Sequence, residues 1–222
     1  MTKHSHFLFA LPTTSMTKPR SPHISSRKDP QQTRSTELVT AILEAAIQVL
    51  AKEGAQRFTT TRVAERAGVS IGSVYQYFPN KAAILFRLQS DEWRQTTGML
   101  RDILGDIQKP PLERLRALVH AFIRSECDEA EVRTALNDAA PLYRDAPEAQ
   151  EAKAAGHNTI QTFMQEVLPN ASEITRELVG DLITTTLSSV GKDFSESPRT
   201  NAEIEVYANA MTDMFCAYLN TV

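Results

Sequence analysis

Apolar residues recur every three or four positions through most of the chain, and this period constrains the fold more than any other feature. In residues 36–53 it is carried by six side chains before the run stops at Gly54: Val39, Ile42, Leu43, Ala46, Ile47 and Leu50. Such spacing puts the apolar side chains on one face of an α-helix, and glycine commonly follows a helix end. Comparable runs occupy residues 81–104, 112–126, 128–138, 146–168, 172–190 and 201–220. No stretch has a convincing strand pattern.

Polar residues mark where several of these helices begin. Asp145 with Glu148, and Asn170 with Glu173, have the spacing of a capping box, and Pro147 suits a first helical turn. Together with two short helices between residues 60 and 78, the runs predict an all-α protein of about nine helices.

The two short helices are joined by a tight turn. Val63 and Ala64 lie on the inner face of the first helix, Gly68 can take the left-handed conformation that ends it, and Ser70 can cap the second. Val74 fills the angle between the helices. This is the helix-turn-helix pattern, in which the second helix enters the major groove of DNA. An ordinary helical hairpin also uses small residues and a glycine turn, so the pattern alone leaves that alternative open.

The flanking residues narrow the choice. A preceding amphipathic helix, the lead-in FTTT at residues 58–61 and the exit YQYFPNK at residues 75–81 resemble the DNA-binding domain of the tetracycline-repressor (TetR) family over residues 36–86. The resemblance implies a three-helix reader of DNA followed by a helical domain for effector binding and dimerisation. It therefore divides the chain into a tail (residues 1–34), a DNA-binding domain (35–86) and a ligand-binding and dimerisation domain (87–222).

The resemblance also implies roles for individual residues. In that family, the positions that correspond to Thr60, Ser73, Tyr75 and Lys81 commonly contact the DNA backbone. Positions at or near base edges match Thr61, Ile71, Gly72, Gln76 and Tyr77, and Ser70 completes the predicted DNA-binding set as the helix cap. Gln76 can pair bidentately with adenine, whereas Ile71 can offer only an apolar contact such as one to a thymine methyl group. Phe78 is expected to pack inside, and Tyr77 could also be partly core.

The region after residue 91 resembles the family only in the number and length of its helices. Its apolar positions could line an effector cavity: Leu115, Leu118, Val119, Phe122, Phe163, Met164 and Val167. Possible polar or aromatic wall groups are Trp93, His120, Tyr143 and His157. Stripes of this kind are also the ordinary core of a helical bundle, so each residue has a purely structural alternative.

Charge is distributed unevenly along the chain, whose net charge is −3. Residues 1–34 carry six lysines and arginines against one acidic residue, whereas residues 91–222 carry 12 against 22. The N-terminal part of the chain can therefore bind phosphates, although the basic tail is also consistent with a disordered segment that has no partner. Cys127 and Cys216 lie far apart, which favours a reduced, cytoplasmic protein, and no membrane span or export signal is evident.

Enzymatic function has little support in the sequence. No metal-ligand spacing, nucleophile set or phosphate-binding glycine loop is present, so neither a metal nor a cofactor is predicted. Within the acidic run ECDEAE at residues 126–131, residues 128–131 are interpreted as a solvated helix start, where carboxylates favour the positive end of the helix dipole. The carboxylates beside Cys127 should disfavour its thiolate.

The sequence thus predicts a homodimeric, sequence-specific DNA-binding regulator, most simply a repressor released from a palindromic operator by a small-molecule effector. Dimerisation is expected through residues 172–190 and 201–220, and the long helix at residues 81–104 is expected to carry the signal, with Gly98 and Gly105 letting it bend or end. A non-specific architectural DNA-binding protein that uses the basic tail is the alternative, and an enzyme is a distant third.

Overall fold

A computed structural model describes residues 33–142 and 147–222 of the 222-residue chain. Over these residues the chain is all-α, as predicted, with nine α-helices, one short 3₁₀ turn and no strand. The basic tail, apart from its last two residues, lies outside the described residues, and so do Tyr143 and Asp145. None of the described helices is both long enough and apolar enough to span a bilayer.

The helices follow one another through short connections. The first four are α1 (Thr33–Arg57), α2 (Thr60–Ala67), α3 (Ile71–Tyr77) and α4 (Lys81–Leu104). The remaining five are α5 (Pro111–Asp128), α6 (Ala130–Ala139), α7 (Pro147–Val167), α8 (Glu173–Ser195) and α9 (Asn201–Leu219), with the 3₁₀ turn Ala140–Leu142 after α6.

Helix ends and caps differ from the predictions at several places, among them the end of α8, which continues past the predicted residue 190 to Ser195. Gly54 does have a positive φ of 72°, but after this kink a further turn continues α1 to Arg57. The predicted capping box at Asn170 is wrong, because Ser172 caps α8 by accepting a hydrogen bond from the Thr175 N–H at 3.1 Å. A capping box does form at Thr200 and Glu203 before α9, where the sequence analysis did not place one.

The first hydrophobic core joins the N-terminal helices to a helix from much later in the chain. Apolar faces of α1, α2 and α3 close around the first two turns of α4, with Ile42, Leu50 and Phe58 fully buried. Leu136 of α6 belongs to the same core, and α6 packs along α1. The core of the DNA-binding half therefore reaches beyond residue 86, and the predicted domain limits stay a prediction.

A second core lies among α5, α7, α8, α9 and the C-terminal end of α4. Arg114 is 2% exposed within it, where its guanidinium donates hydrogen bonds to the Leu104 carbonyl and to Glu166 and lies 5.5 Å from the ring centroid of Phe163. Because the last carbonyls of a helix lack partners within the helix, this arginine stabilises the end of α4.

Helix α4 belongs to both cores, so a movement of this helix affects both halves of the molecule. Gly105 ends it, and a Cβ there would lie 2.6 Å from the Arg101 carbonyl oxygen, which a side chain cannot tolerate. Gly98 lies inside the helix, where a Cβ would meet nothing within 4 Å.

Candidate DNA-binding surface and effector cavity

The turn between α2 and α3 has the local geometry that its sequence predicts. Gly68 adopts the left-handed conformation, with φ 68° and ψ 28°. The Ser70 hydroxyl oxygen caps α3 by accepting from the Ser73 N–H at 3.0 Å, and the hydroxyls of Ser70 and Ser73 lie 2.8 Å apart. Val74 is fully buried in the angle between the helices. These contacts fix α3 relative to α2.

Polar contacts that the sequence analysis missed hold α2 on α1. Arg62 forms an ion pair with Glu53 and donates to the Arg57 carbonyl at 2.9 Å, while Arg66 donates to the Gln48 side chain at 2.5 Å. Since α3 is fixed to α2, these contacts position α3 relative to the rest of the N-terminal core.

The outer face of α3 presents most of the predicted DNA contacts to solvent. Ile71 and Tyr75 are each 40% exposed, and Gly72 and Gln76 are also exposed. Thr61 is exposed on the neighbouring α2, and Ser73 is half-buried. Lys81, also half-buried, is the first residue of α4, after Asn80, whose side chain accepts from the Ala83 N–H at 3.0 Å. The DNA-binding roles of these residues stay predictions.

Two predicted contact residues are buried instead. Tyr77 is 6% exposed and packs in the first core, in agreement with its structural alternative, while its role at a base edge stays a prediction. Thr60 is 7% exposed in the first turn of α2, and its contact with a phosphate stays a prediction. Phe78, at 1% exposure, packs inside as expected.

An apolar cavity of about 170 Å³, here called the apolar chamber, lies within the second core. Of the residues proposed as cavity walls, Leu115, Leu118, Phe122, Phe163 and Met164 line it. The sequence analysis missed the other walls: Leu100, Leu104, Ile160, Ile183, Thr184, Leu187 and Ser188.

A second cavity of about 300 Å³, the polar chamber, adjoins the first, since Phe122 and Ser188 line both. Trp93 belongs to its wall, as proposed. The sequence analysis missed its other walls, most of which are polar or charged: Gln89, Glu92, Thr96, Glu126, Arg133, Asn137, Ser188 and Lys192.

Arg133 is the centre of an ion-pair cluster at the polar chamber. Its Nη1 lies 2.8 Å from Glu92 and 2.6 Å from Glu126, and its Nη2 lies 3.1 Å from Glu129 and 2.9 Å from the Ser125 hydroxyl. Helices α4, α5 and α6 thus meet through one guanidinium.

Burial raises the pKa of Glu92 and of Glu126, although Arg133 acts in the opposite direction on both. Glu126 lies before the predicted helix start at residues 128–131, and it is 7% exposed in the last turn of α5. Burial also raises the pKa of Cys127, with Asp128 and Glu126 contributing, in the direction expected for its thiol.

Both histidines proposed for the cavity lie elsewhere. His120 is on the outer side of α5, with Nδ1 3.1 Å from Glu205 and Nε2 3.3 Å from Asn209 of α9. His157 is exposed on α7 and lines neither chamber. Val119 and Val167 pack in the second core without lining the chambers. Tyr143 lies outside the described residues.

The predicted dimerisation helices present a different apolar surface from the one expected. On α8, Ile174, Leu178 and Leu182 are exposed by 79%, 62% and 46%. On α9, however, four apolar residues of the predicted interface segment 201–220 are buried in the chain's own core: Ile204, Met211, Phe215 and Leu219. The outward apolar residues of α9 are Val206 and Met214, at 71% and 51% exposure.

Comparison with known proteins agrees with this geometry. Residues 42–88 match the family described as bacterial regulatory proteins, tetR family, and residues 110–222 match the tetracyclin repressor-like C-terminal domain. The chain belongs to the TetR family. Both its family and its fold are those of transcriptional regulators rather than of enzymes.

Individual TetR relatives are similar over part of their length. The nucleoid occlusion factor SlmA of Vibrio campbellii is 36% identical over 83 residues, 37% of this chain and 42% of that protein. The transcriptional repressor KstR of Rhodococcus jostii is 28% identical over 115 residues, 52% of each chain. The match thus spans about half the length of these relatives. Among solved structures, FadR of Bacillus subtilis in complex with stearoyl-CoA aligns with a TM-score of 0.64 at 16% identity, over 80% of this chain and 97% of that one.

Proposed function

We propose that this TetR-family protein is a repressor that binds a palindromic operator and leaves it when a small molecule enters the chambers. The observation that carries the DNA-binding part is the exposed face of α3, where Gln76 stands on a helix fixed by the Ser70 cap and the Gly68 turn. An exposed amide on a rigid helix can read a base edge, and Lys81 nearby can position a phosphate.

Nuclease footprinting on genomic fragments tests this proposal. Base readout requires discrete protection of a two-fold symmetric site, while the architectural alternative, which relies on the basic tail, predicts uniform protection. A variant that lacks residues 1–32 is the matched control. It should keep the discrete footprint and lose mainly non-specific affinity. Protection that disappears with the tail would contradict the proposal.

Release from DNA would pass through α4. This helix starts at Lys81, beside the reader, and further along contributes Glu92, Trp93 and Leu100 to the chambers. A ligand that fits only when α4 tilts would change the spacing of two readers in a dimer while leaving each reader intact. A hundredfold preference for the DNA-free arrangement supplies about 2.7 kcal/mol of coupling per site.

Reciprocity gives the test of release. If the effector weakens operator binding, operator DNA must weaken effector binding by the same factor. Titrating a screened compound against the protein with and without saturating operator measures both constants. Equal affinity in the two titrations would show that the compound binds without acting as an inducer.

A further inference from the structure

The buried part of the polar chamber holds an excess of negative charge. Glu92, Glu126 and Glu129 share the single guanidinium of Arg133, and two of them contact the same nitrogen. The side chains of Glu92 and Glu126 are only 16% and 9% exposed, so water screens them poorly. One buried cation therefore faces two buried carboxylates of the chamber wall, with the more exposed Glu129 beside them.

The remaining charge on the chamber wall does not correct this imbalance. Lys192 on α8 also lines the chamber, but it is exposed, so water screens its charge more than that of the buried Arg133. Burial raises the pKa of both carboxyls despite the contact with Arg133, which indicates that their ionised forms are incompletely compensated. A ligand placed here meets two buried carboxylates that share one positive charge.

The charge of a ligand head group decides how it would interact with this cluster. A carboxylate or phosphate would add a fourth negative group, or would have to displace the carboxylates that already occupy Arg133. An uncharged head would leave the imbalance as it is. A cation would be attracted to both Glu92 and Glu126 in a poorly screened site, where opposite charges interact strongly.

We propose that the effector is an amphipathic organic cation, such as a protonated alkylamine, whose charged end binds at Glu92 and Glu126 and whose apolar end fills the apolar chamber. This inference rests on the proposed function, since it assigns a ligand class to the same cavity. The cationic group of the ligand lies in the polar chamber. Its alkyl chain passes Phe122 and Ser188, which line both chambers, and enters the space bounded by Leu118 and Met164.

Trp93 supplies a direct reporter, because it is the single tryptophan of the chain and lines the polar chamber. Decylammonium, decanol and decanoate share one chain and differ in head-group charge at neutral pH. Titrations of Trp93 fluorescence with each probe should give decylammonium at least about tenfold tighter binding than decanol, and decanoate the weakest, since hydrogen bonds to charged groups are stronger than those between neutral groups.

Two isosteric variants assign the selectivity to residues. Glu92→Gln and Glu126→Gln should each reduce the ratio of decylammonium to decanol affinity about tenfold or more, with decanol affinity changed little because the chamber keeps its shape. Glu205→Gln is the matched control. Glu205 forms an ion pair with Arg124 and contacts His120 on the outer side of α5, and it lines neither chamber, so the ratio should stay at the wild-type value.

Three results would overturn the inference. These are decanoate binding more tightly than decylammonium, an unchanged ratio in both glutamine variants, or no response of Trp93 to any probe together with no shift in melting temperature. The footprint is measured separately. A discrete footprint combined with any of these results would reject the ligand class while the regulator remains, whereas loss of the footprint alone would reject the proposed function.

Discussion

At the scale of single residues, Gln76 and Lys81 are expected to contribute differently to DNA binding. Gln76→Ala should reduce the free energy of binding to the preferred DNA site by about 1 to 3 kcal/mol and change binding to other sites little, because an amide that forms two hydrogen bonds to one base distinguishes between bases. Lys81→Ala should weaken binding to all DNA sequences alike, because it removes a phosphate contact. The salt dependence of the binding constant should also fall, by about one released ion. Affinities for a panel of site variants at several salt concentrations measure both effects.

Tyr77→Phe is the control for this panel, since it removes only the hydroxyl of a side chain that is 6% exposed. It should leave the ranking of site variants unchanged. The same unchanged ranking for Gln76→Ala would show that Gln76 does not read bases.

Glu126 leads to a prediction about stability and pH. Burial raises its pKa in the folded protein, so the folded chain holds the proton more tightly than the unfolded chain. The contribution of Glu126 to the stability of the folded protein therefore becomes less favourable as pH rises from the pKa in the unfolded chain, about 4.3, through the pKa in the folded protein. Relative to wild type, Glu126→Gln should gain in free energy of unfolding over that window, as measured by urea unfolding between pH 4 and 8.

Glu203 provides a control of opposite sign. The Thr200 backbone N–H and hydroxyl hold its pKa below the usual value, so its contribution is present above the unfolded pKa and is lost as pH falls. Glu203→Gln should therefore be less stable than wild type at neutral pH and should approach it in acid. Parallel pH profiles for the two variants would contradict the assignment for Glu126.

Sequence alone predicts residue roles best where local geometry decides them. Gly68 and Ser70 act within a few residues of themselves, and their positions in the turn follow from conformational preference and capping. Tyr77 and Glu126 depend on distant partners. The ring of Tyr77 is buried by its neighbours in the first core, and Glu126 is paired by an arginine on the next helix, so neither environment has a local signature.

At the scale of helices, α4 is the element expected to transmit effector binding, and Gly98 is its adjustable position. Gly98→Ala should raise the free energy of unfolding by about 1 kcal/mol, because alanine favours the helix and its Cβ meets nothing within 4 Å. A stiffer α4 should also reduce release by decylammonium while operator affinity without ligand stays unchanged. Urea unfolding and operator titrations with and without decylammonium measure these quantities.

Gly156→Ala is the matched helical control, since it lies within α7 and its Cβ would make only an ordinary contact, 3.7 Å from Thr97 Oγ1. It should raise the free energy of unfolding by a similar amount and leave the release of operator DNA by decylammonium at the wild-type level. Equal release in both alanine variants would show that bending at Gly98 has no part in the response.

The helices themselves were largely predictable, because their apolar period is strong and each is long enough to show it. Their partners were not. Nothing in the sequence of α6 distinguishes packing on the N-terminal core from packing among its chain neighbours, yet Leu136 lies in the first core. The face of α9 was predicted too broadly for a related reason, since a period shows that a side is apolar but not whether the same chain or a partner covers it.

At the scale of the whole molecule, the stripe formed by Ile174, Leu178 and Leu182 is apolar surface that a second copy could cover. These residues are four apart, so they form one line along α8. Two-fold pairing of this line would place two reader helices on half-sites about 34 Å apart, which is the spacing that a palindromic operator requires. Dimerisation and operator symmetry are thus one proposal.

Leu178→Glu tests that proposal at the centre of the stripe. A buried, unpaired carboxylate is strongly unfavourable, so the variant should be monomeric at micromolar concentration and should lose tight binding to the full palindrome. Its folding should be little affected, because the side chain is 62% exposed in the chain and glutamate suits a helix. Ile107→Glu, at 79% exposure between α4 and α5, introduces the same charge away from the stripe and should remain a dimer. Light scattering gives the mass and an operator titration the affinity; a dimeric Leu178→Glu protein with wild-type affinity would place the dimer interface elsewhere on the molecule.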